Sequence, residues 1–81
     1  GFLPRILEDL LEEHKAGRTD LKNNIEASQQ AIYNALPLLK NNGLVKETKG
    51  KDFPYKVEIE LTEKGRKIAE HISEISKLVN S

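Results

Sequence analysis

At 81 residues, with 37% hydrophobic and 5% aromatic side chains, the chain has room for one domain with a small core of Leu and Ile. The absence of cysteine excludes disulfide scaffolds and thiolate zinc sites and agrees with an intracellular protein; no apolar run approaches the roughly 20 residues of a membrane span. The 13 basic and 13 acidic side chains cancel, which excludes a bulk polyelectrolyte and shifts attention to local charge.

No signal-peptide pattern opens the sequence, so the expected location is cytoplasmic or nucleoid-associated. The lack of Met beside an initial Gly1 reads as a replaced or trimmed start, and Gly1 is left out of the fold reasoning. The stretch FLPRILEDLLEEHKAG reads as a helix. Pro4 suits its first turn, Ile6, Leu7, Leu10 and Leu11 recur at helical spacing, and Gly17 is the expected terminator. Its acids Glu8, Asp9, Glu12 and Glu13 make it a poor partner for phosphate. In RTDLKNNIEAS, Thr19 is the expected N-cap of a two-turn helix that carries Leu21 and Ile25 and ends near Glu26.

The stretch SQQAIYNALPLLKNNGLV follows, with Ser28 as N-cap and Gly43 as a left-handed C-terminal cap. Ile32, Ala35, Leu36 and Leu39 form its core stripe, and Gln30, Tyr33, Pro37 and Lys40 the opposite one. LVKETKG and YKVEIELT then alternate with period two around KDFP, which predicts a β-hairpin with a basic tip. Thr62 caps a last helix whose Ile68, Ile72, Ile75 and Val79 form a narrow seam, widened by Leu78, of the kind one helix offers another.

The order helix, short helix, helix, hairpin, helix is an α+β, mostly helical chain with the winged helix-turn-helix plan. Residues 2–61 are expected to form its core, and residues 62–81 a C-terminal helix of the same domain that pairs two copies.

The residues also carry a resemblance. IYNALPLLKNNGLVKE followed by PYKVEIELTEKGRKIAE resembles the second half of the winged helix domains of the MarR and PadR transcriptional regulators. Leu36, Leu39, Gly43 and Leu44 match the end of their recognition helix, and Leu61, Thr62 and Gly65 match the Leu-Thr-x-x-Gly element after the wing. Tyr33 and Pro54–Tyr55 look more like PadR, although the His-Gly-Tyr element of that family is absent. The likeness spans about residues 19–70 and implies a transcriptional regulator.

A helix presented to the major groove reads bases with its N-terminal residues, so Gln29, Gln30, Tyr33 and Asn34 are the expected base contacts. Residues 40–56 hold five lysines against Glu47 and Asp52, a local balance of +3. From that stretch Lys40, Lys49, Lys51 and Lys56 are expected on the DNA backbone, with Arg18, Lys22 and Ser28 from the start of the two preceding helices. Pro37 removes a hydrogen bond to the Tyr33 carbonyl; its bend either sets the angle of entry into the groove or is a neutral kink.

The expected dimer interface is Ile68, Ile72, Ile75, Leu78 and Val79, with two recognition helices about 34 Å apart over a palindromic site. The expected partners are therefore double-stranded DNA and a second copy, with no membrane and no effector named by the sequence. His14 and His71 lie on separate helices without a ligand cluster, so no metal or other cofactor is expected. No nucleophile–base set, phosphate loop or paired-carboxylate cleft points to an enzyme. Two other readings stay open: a winged helix that binds a protein partner, and an architectural DNA binder with low sequence preference.

Overall fold

In the computed structural model, which describes residues 2–50 and 57–80, the first helix is shorter than its periodicity predicts. α1 spans Phe2–Glu13 and buries Ile6, Leu7 and Leu10. It stops because His14 turns left-handed, at φ 68°, a conformation that costs a non-glycine residue about 1–2 kcal/mol. Gly17 is therefore not its terminator. Lys15–Ala16 instead form a short strand, β1, that the sequence reading missed.

α2 spans Arg18–Asn24, and its N-cap is Gly17 rather than Thr19. The Asp20 carboxylate accepts the Gly17 N–H at 3.1 Å, so the acid in the first turn does the capping from inside the helix. The helix closes two residues before the expected Glu26, which sits in the left-handed region at φ 53°. The Ala27 N–H reaches back to the Lys22 carbonyl at 2.9 Å, a Schellman closure with glutamate in the place glycine usually takes.

α3 spans Gln29–Asn41 and begins as its sequence predicts, with the Ser28 hydroxyl accepting the Ala31 N–H at 3.1 Å. It also ends as predicted. Gly43 adopts φ 70°, its N–H bonds the Lys40 carbonyl, and the Leu44 N–H bonds the Leu39 carbonyl. Ile32, Ala35, Leu36 and Leu39 are buried, which leaves Pro37 on the exposed side.

The strands β2, Val45–Lys49, and β3, Val57–Leu61, pair antiparallel from Val45 opposite Leu61 to Lys49 opposite Val57. β1 pairs on the other edge of β3, giving the order β1-β3-β2, so the expected hairpin is two strands of a three-stranded sheet. Val45, Ile59 and Ala16 share the buried face. On the outer face Glu60 lies between Lys15, at 3.7 Å, and Lys46, at 3.2 Å. The expected hairpin tip falls on residues 51–56, outside the described residues.

α4, Glu63–Val79, is docked by the Leu-Thr-x-x-Gly element. The Thr62 hydroxyl accepts the Gly65 N–H at 3.0 Å and donates to the Gly43 carbonyl, while the Thr62 N–H bonds the Leu44 carbonyl. One threonine thus caps α4 and ties it to the turn that closes α3. α4 runs antiparallel to α1: its start shares a concavity with Leu10, Leu11 and His14, and Ser76 donates to the Glu8 carboxylate at 3.1 Å. Ala69 is buried, and Ile68 and Ile72 pack half-buried on the chain's own core. Ile75, Leu78 and Val79 stay 60–75% exposed, and Phe2 and Leu3 are exposed at the adjoining end of α1.

The core that results joins Ile6, Leu10, Leu21, Ile32 and Ile59, all nearly inaccessible to solvent. Each such side chain contributes about 1.5–3 kcal/mol relative to exposure. Every element supplies at least one member of the wider cluster, and α3 packs into it against α1, α2 and β2.

Candidate nucleic-acid interface

The free side of α3 is polar over its first turns, with Pro37 and Leu38 exposed farther along. Gln29, Gln30, Tyr33 and Asn34 are all exposed and pair at i, i+4: the Gln29 amide donates to the Tyr33 hydroxyl at 3.3 Å, and the Gln30 amide to the side-chain oxygen Oδ1 of Asn34 at 2.9 Å. These bonds hold four hydrogen-bonding groups in two parallel rows across the first turns of the helix. Each pair still has donors and acceptors to spare for a ligand.

α2 supplies the cations beside this face. Arg18, Thr19 and Lys22 line a concavity with Gln29, Ile32 and Tyr33. The Arg18 guanidinium lies 5.7 Å from the centroid of the Tyr33 ring, close enough for a cation–π contact that steadies both. Lys40 leaves the same face of α3 farther along.

Arg18 and Lys40 meet at a residue that the sequence reading did not single out. Glu47 of β2 receives Lys40 Nζ at 3.0 Å and Arg18 Nη2 at 3.4 Å, both on the same carboxylate oxygen. The hydrogen bond from Lys40 holds the Glu47 carboxyl below the ordinary 4.5, against the opposing effect of burial and with help from Arg18. The stability it contributes is therefore present above that ordinary value and is lost as pH falls through the lowered one. One signal was available in the sequence. Period two puts Glu47 on the same face of β2 as the buried Val45, toward the helices that carry Arg18 and Lys40.

The expected contacts are thus brought together unevenly. Gln29, Gln30, Tyr33, Asn34, Arg18 and Lys22 form one surface, and Lys40 joins it through Glu47. Ser28 uses its hydroxyl oxygen to cap α3 at the same end. Lys49 lies at the outer end of β2, opposite Val57, which itself lines a concavity with Arg18 and Tyr33. Lys51 and Lys56 fall outside the described residues. Among the described residues no group of three or more His, Asp or Glu side chains could hold a metal ion, and no helix is long and apolar enough to cross a membrane.

Pro37 adjoins this surface, in a concavity with Arg18, Tyr33, Leu36, Lys40 and Glu47. Pro37→Ala restores a donor to the Tyr33 carbonyl and is expected to stabilise the fold by about 1–3 kcal/mol, the upper end being the full helix-interior penalty. Urea unfolding would read this, and an unchanged midpoint would mean that packing already offsets the missing bond.

A short helix, a turn, a capped helix with a polar free face, and a sheet whose strands β2 and β3 would form the wing define the class: a winged helix-turn-helix DNA-binding transcription regulator of the MarR-like type. Within it, the chain belongs to the HxlR-like helix-turn-helix family, whose model matches residues 4–81. Among solved structures, the chain is similar to the adhesin competence repressor AdcR of Streptococcus pyogenes, at 26% identity and TM-score 0.84, over 98% of this chain and 58% of that one. It is also similar to ZitR of Lactococcus lactis, at 28% identity and TM-score 0.79, over 96% and 59%. A transcriptional regulator homologue from Pyrococcus horikoshii shares the fold, at 24% identity and TM-score 0.76, over 93% and 75%. The chain thus spans somewhat more than half the length of AdcR and ZitR and three quarters of the Pyrococcus protein. No curated protein sequence is significantly similar to it.

Proposed function

We propose that the protein binds a specific double-stranded DNA sequence as a homodimer and regulates transcription from it. The first turns of α3 enter the major groove, where the amides of Gln29, Gln30 and Asn34 meet base edges and Tyr33 meets a phosphate or a thymine methyl. Arg18, Lys22, Ser28 and Lys40 contact the backbone on either side of the groove, with Lys49, Lys51 and Lys56 of the wing farther along it. Residues 2–61 form the DNA-binding core, and residues 62–81 pair the two copies through the seam of Ile68, Ile72, Ile75, Leu78 and Val79.

One observation carries this reading. Among the described residues, the side of α3 left open by the core displays the two amide-bearing pairs, Gln29–Tyr33 and Gln30–Asn34, and is bordered by the cations of α2. That is the combination of base-reading groups and backbone anchors that groove recognition needs.

The test is binding to a duplex of about 30 base pairs, long enough for two half-sites one helical turn apart, from the DNA upstream of the protein's own coding sequence. A scrambled duplex runs beside it at two salt concentrations. Tight, salt-sensitive binding that weakens on the scrambled duplex is expected. Gln30→Ala or Asn34→Ala should then cost about 1–3 kcal/mol on the preferred site and little on the scrambled one. Lys22→Gln should weaken both and lower the salt slope by about 1. Equal affinity for the two duplexes would instead mark an architectural binder. No binding at low salt would leave the face of α3 to a protein partner.

A further inference from the structure

Two of the cations that flank the proposed DNA surface are already engaged, and by the same oxygen. Lys40 Nζ and Arg18 Nη2 lie 3.0 and 3.4 Å from Glu47 Oε1. The two cations are about half exposed and the carboxylate about a quarter, so the ion pairs sit at the mouth of a concavity, where an incoming group can reach them. Tyr33 and Pro37 of α3 line that concavity too, which places it directly beside the face proposed to read bases.

We infer that Glu47 is an internal stand-in for a DNA phosphate and thereby a brake on DNA affinity. This rests on the DNA-binding reading above. A carboxylate and a phosphodiester each carry one negative charge and accept hydrogen bonds through oxygen, so Arg18 and Lys40 can exchange one for the other without leaving their places. Any phosphate that takes the two cations must displace Glu47 and lie beside its charge.

Glu47 thus weakens any DNA contact that draws on these two cations and lowers its salt dependence. It also keeps Arg18, braced on the Tyr33 ring, and Lys40 ordered before DNA arrives. Glu60 also bridges two cations, but on the outer face of the sheet between Lys15 and Lys46, away from this concavity.

Glu47→Gln separates the possibilities. Each cation released to a phosphate adds about 0.9 to the salt exponent, or roughly tenfold in affinity near 0.1 M salt. Glu47→Gln should therefore bind both duplexes about 10–100-fold more tightly than the parent, with a salt slope steeper by about 1–2. Glu58→Gln, which removes one charge from the same hairpin but no contact to Arg18 or Lys40, should give a smaller gain and leave the slope unchanged. In a Lys40→Gln, Arg18→Gln background, Glu47→Gln should have no more effect than Glu58→Gln. Thermal melts of every variant confirm that the fold is kept.

An equal gain from Glu47→Gln and Glu58→Gln would overturn the inference in favour of a general charge effect. Weaker DNA binding by Glu47→Gln would overturn it in favour of a brace for the wing. If the parent itself bound no DNA, the DNA-binding reading would fail and this inference with it. A parent that binds DNA while Glu47→Gln gains nothing would sink this inference alone.

Discussion

Gly65→Ala is expected to cost this protein a large share of its stability. A Cβ added at Gly65 would stand 1.8 Å from the Leu44 carbonyl oxygen and 2.7 Å from its carbon, both of them backbone atoms. That carbonyl cannot swing aside. It accepts the Thr62 N–H at 3.0 Å, and the Leu44 N–H is fixed on the Leu39 carbonyl at 2.9 Å. The first turn of α4 would have to lift away, pulling the Thr62 hydroxyl from its two partners, the Gly65 N–H and the Gly43 carbonyl. Overpacking alone costs about 1–3 kcal/mol, and the lost cap adds about 1. Domains of this size hold only about 0.05–0.15 kcal/mol per residue in reserve. Gly43→Ala is the matched comparison: its φ is +70°, but a Cβ there meets nothing within 4 Å. Its cost should stop at about 1–2 kcal/mol. Urea unfolding of the two variants decides the matter, and similar midpoints would refute the close approach of α4 to Leu44.

That contact shows what could be read in the sequence and what could not. Leu61, Thr62 and Gly65 were recognisable as a pattern, but the pattern does not say why glycine is required. The reason is a distance between two chain segments about twenty residues apart. α3 and α4 were legible nearly to the residue because long apolar periodicity, a hydroxyl cap and, for α3, a left-handed glycine all pointed the same way. The end of α1 was not. His14 pays for a left-handed turn that the pairing of Lys15–Ala16 with β3 repays, and a two-residue strand has no periodicity to detect. Gly17 reads as a stop in the sequence and is a start in the structure, because the capping group is the Asp20 side chain three residues on. In the candidate site, the polar stripe of α3 followed from helical geometry alone. The joining of Arg18 and Lys40 by Glu47 depends on how β2 lies against two helices, and only tertiary structure supplies that.

Replacing Ile75 and Val79 together by glutamate is expected to leave the fold intact and abolish tight DNA binding. Both side chains are mostly exposed, at 60% and 75%, so the charges enter water rather than the core. Ile72 lies one turn earlier on α4 and packs on the core, so Ile72→Glu should lower the melting temperature where the double variant does not. Exposed apolar side chains at one end of a small domain, here Ile75, Leu78 and Val79 of α4 beside Phe2 and Leu3 of α1, are the usual mark of an interface. Four glutamates across a two-fold contact, two from each copy, would oppose pairing by desolvation and by mutual repulsion. A monomer keeps its own half-site contacts but loses the effective concentration that the second recognition helix gains from being tethered to the first. That loss is on the order of 100-fold or more in apparent affinity. Sedimentation should therefore show a dimer becoming a monomer, with a parallel loss of binding to the full site and little change on an isolated half-site. If the double variant stays a dimer and still binds, the seam on α4 does not join the two copies. If it becomes a monomer with unchanged affinity, the protein reads its site with one recognition helix, and dimerisation serves something other than DNA binding.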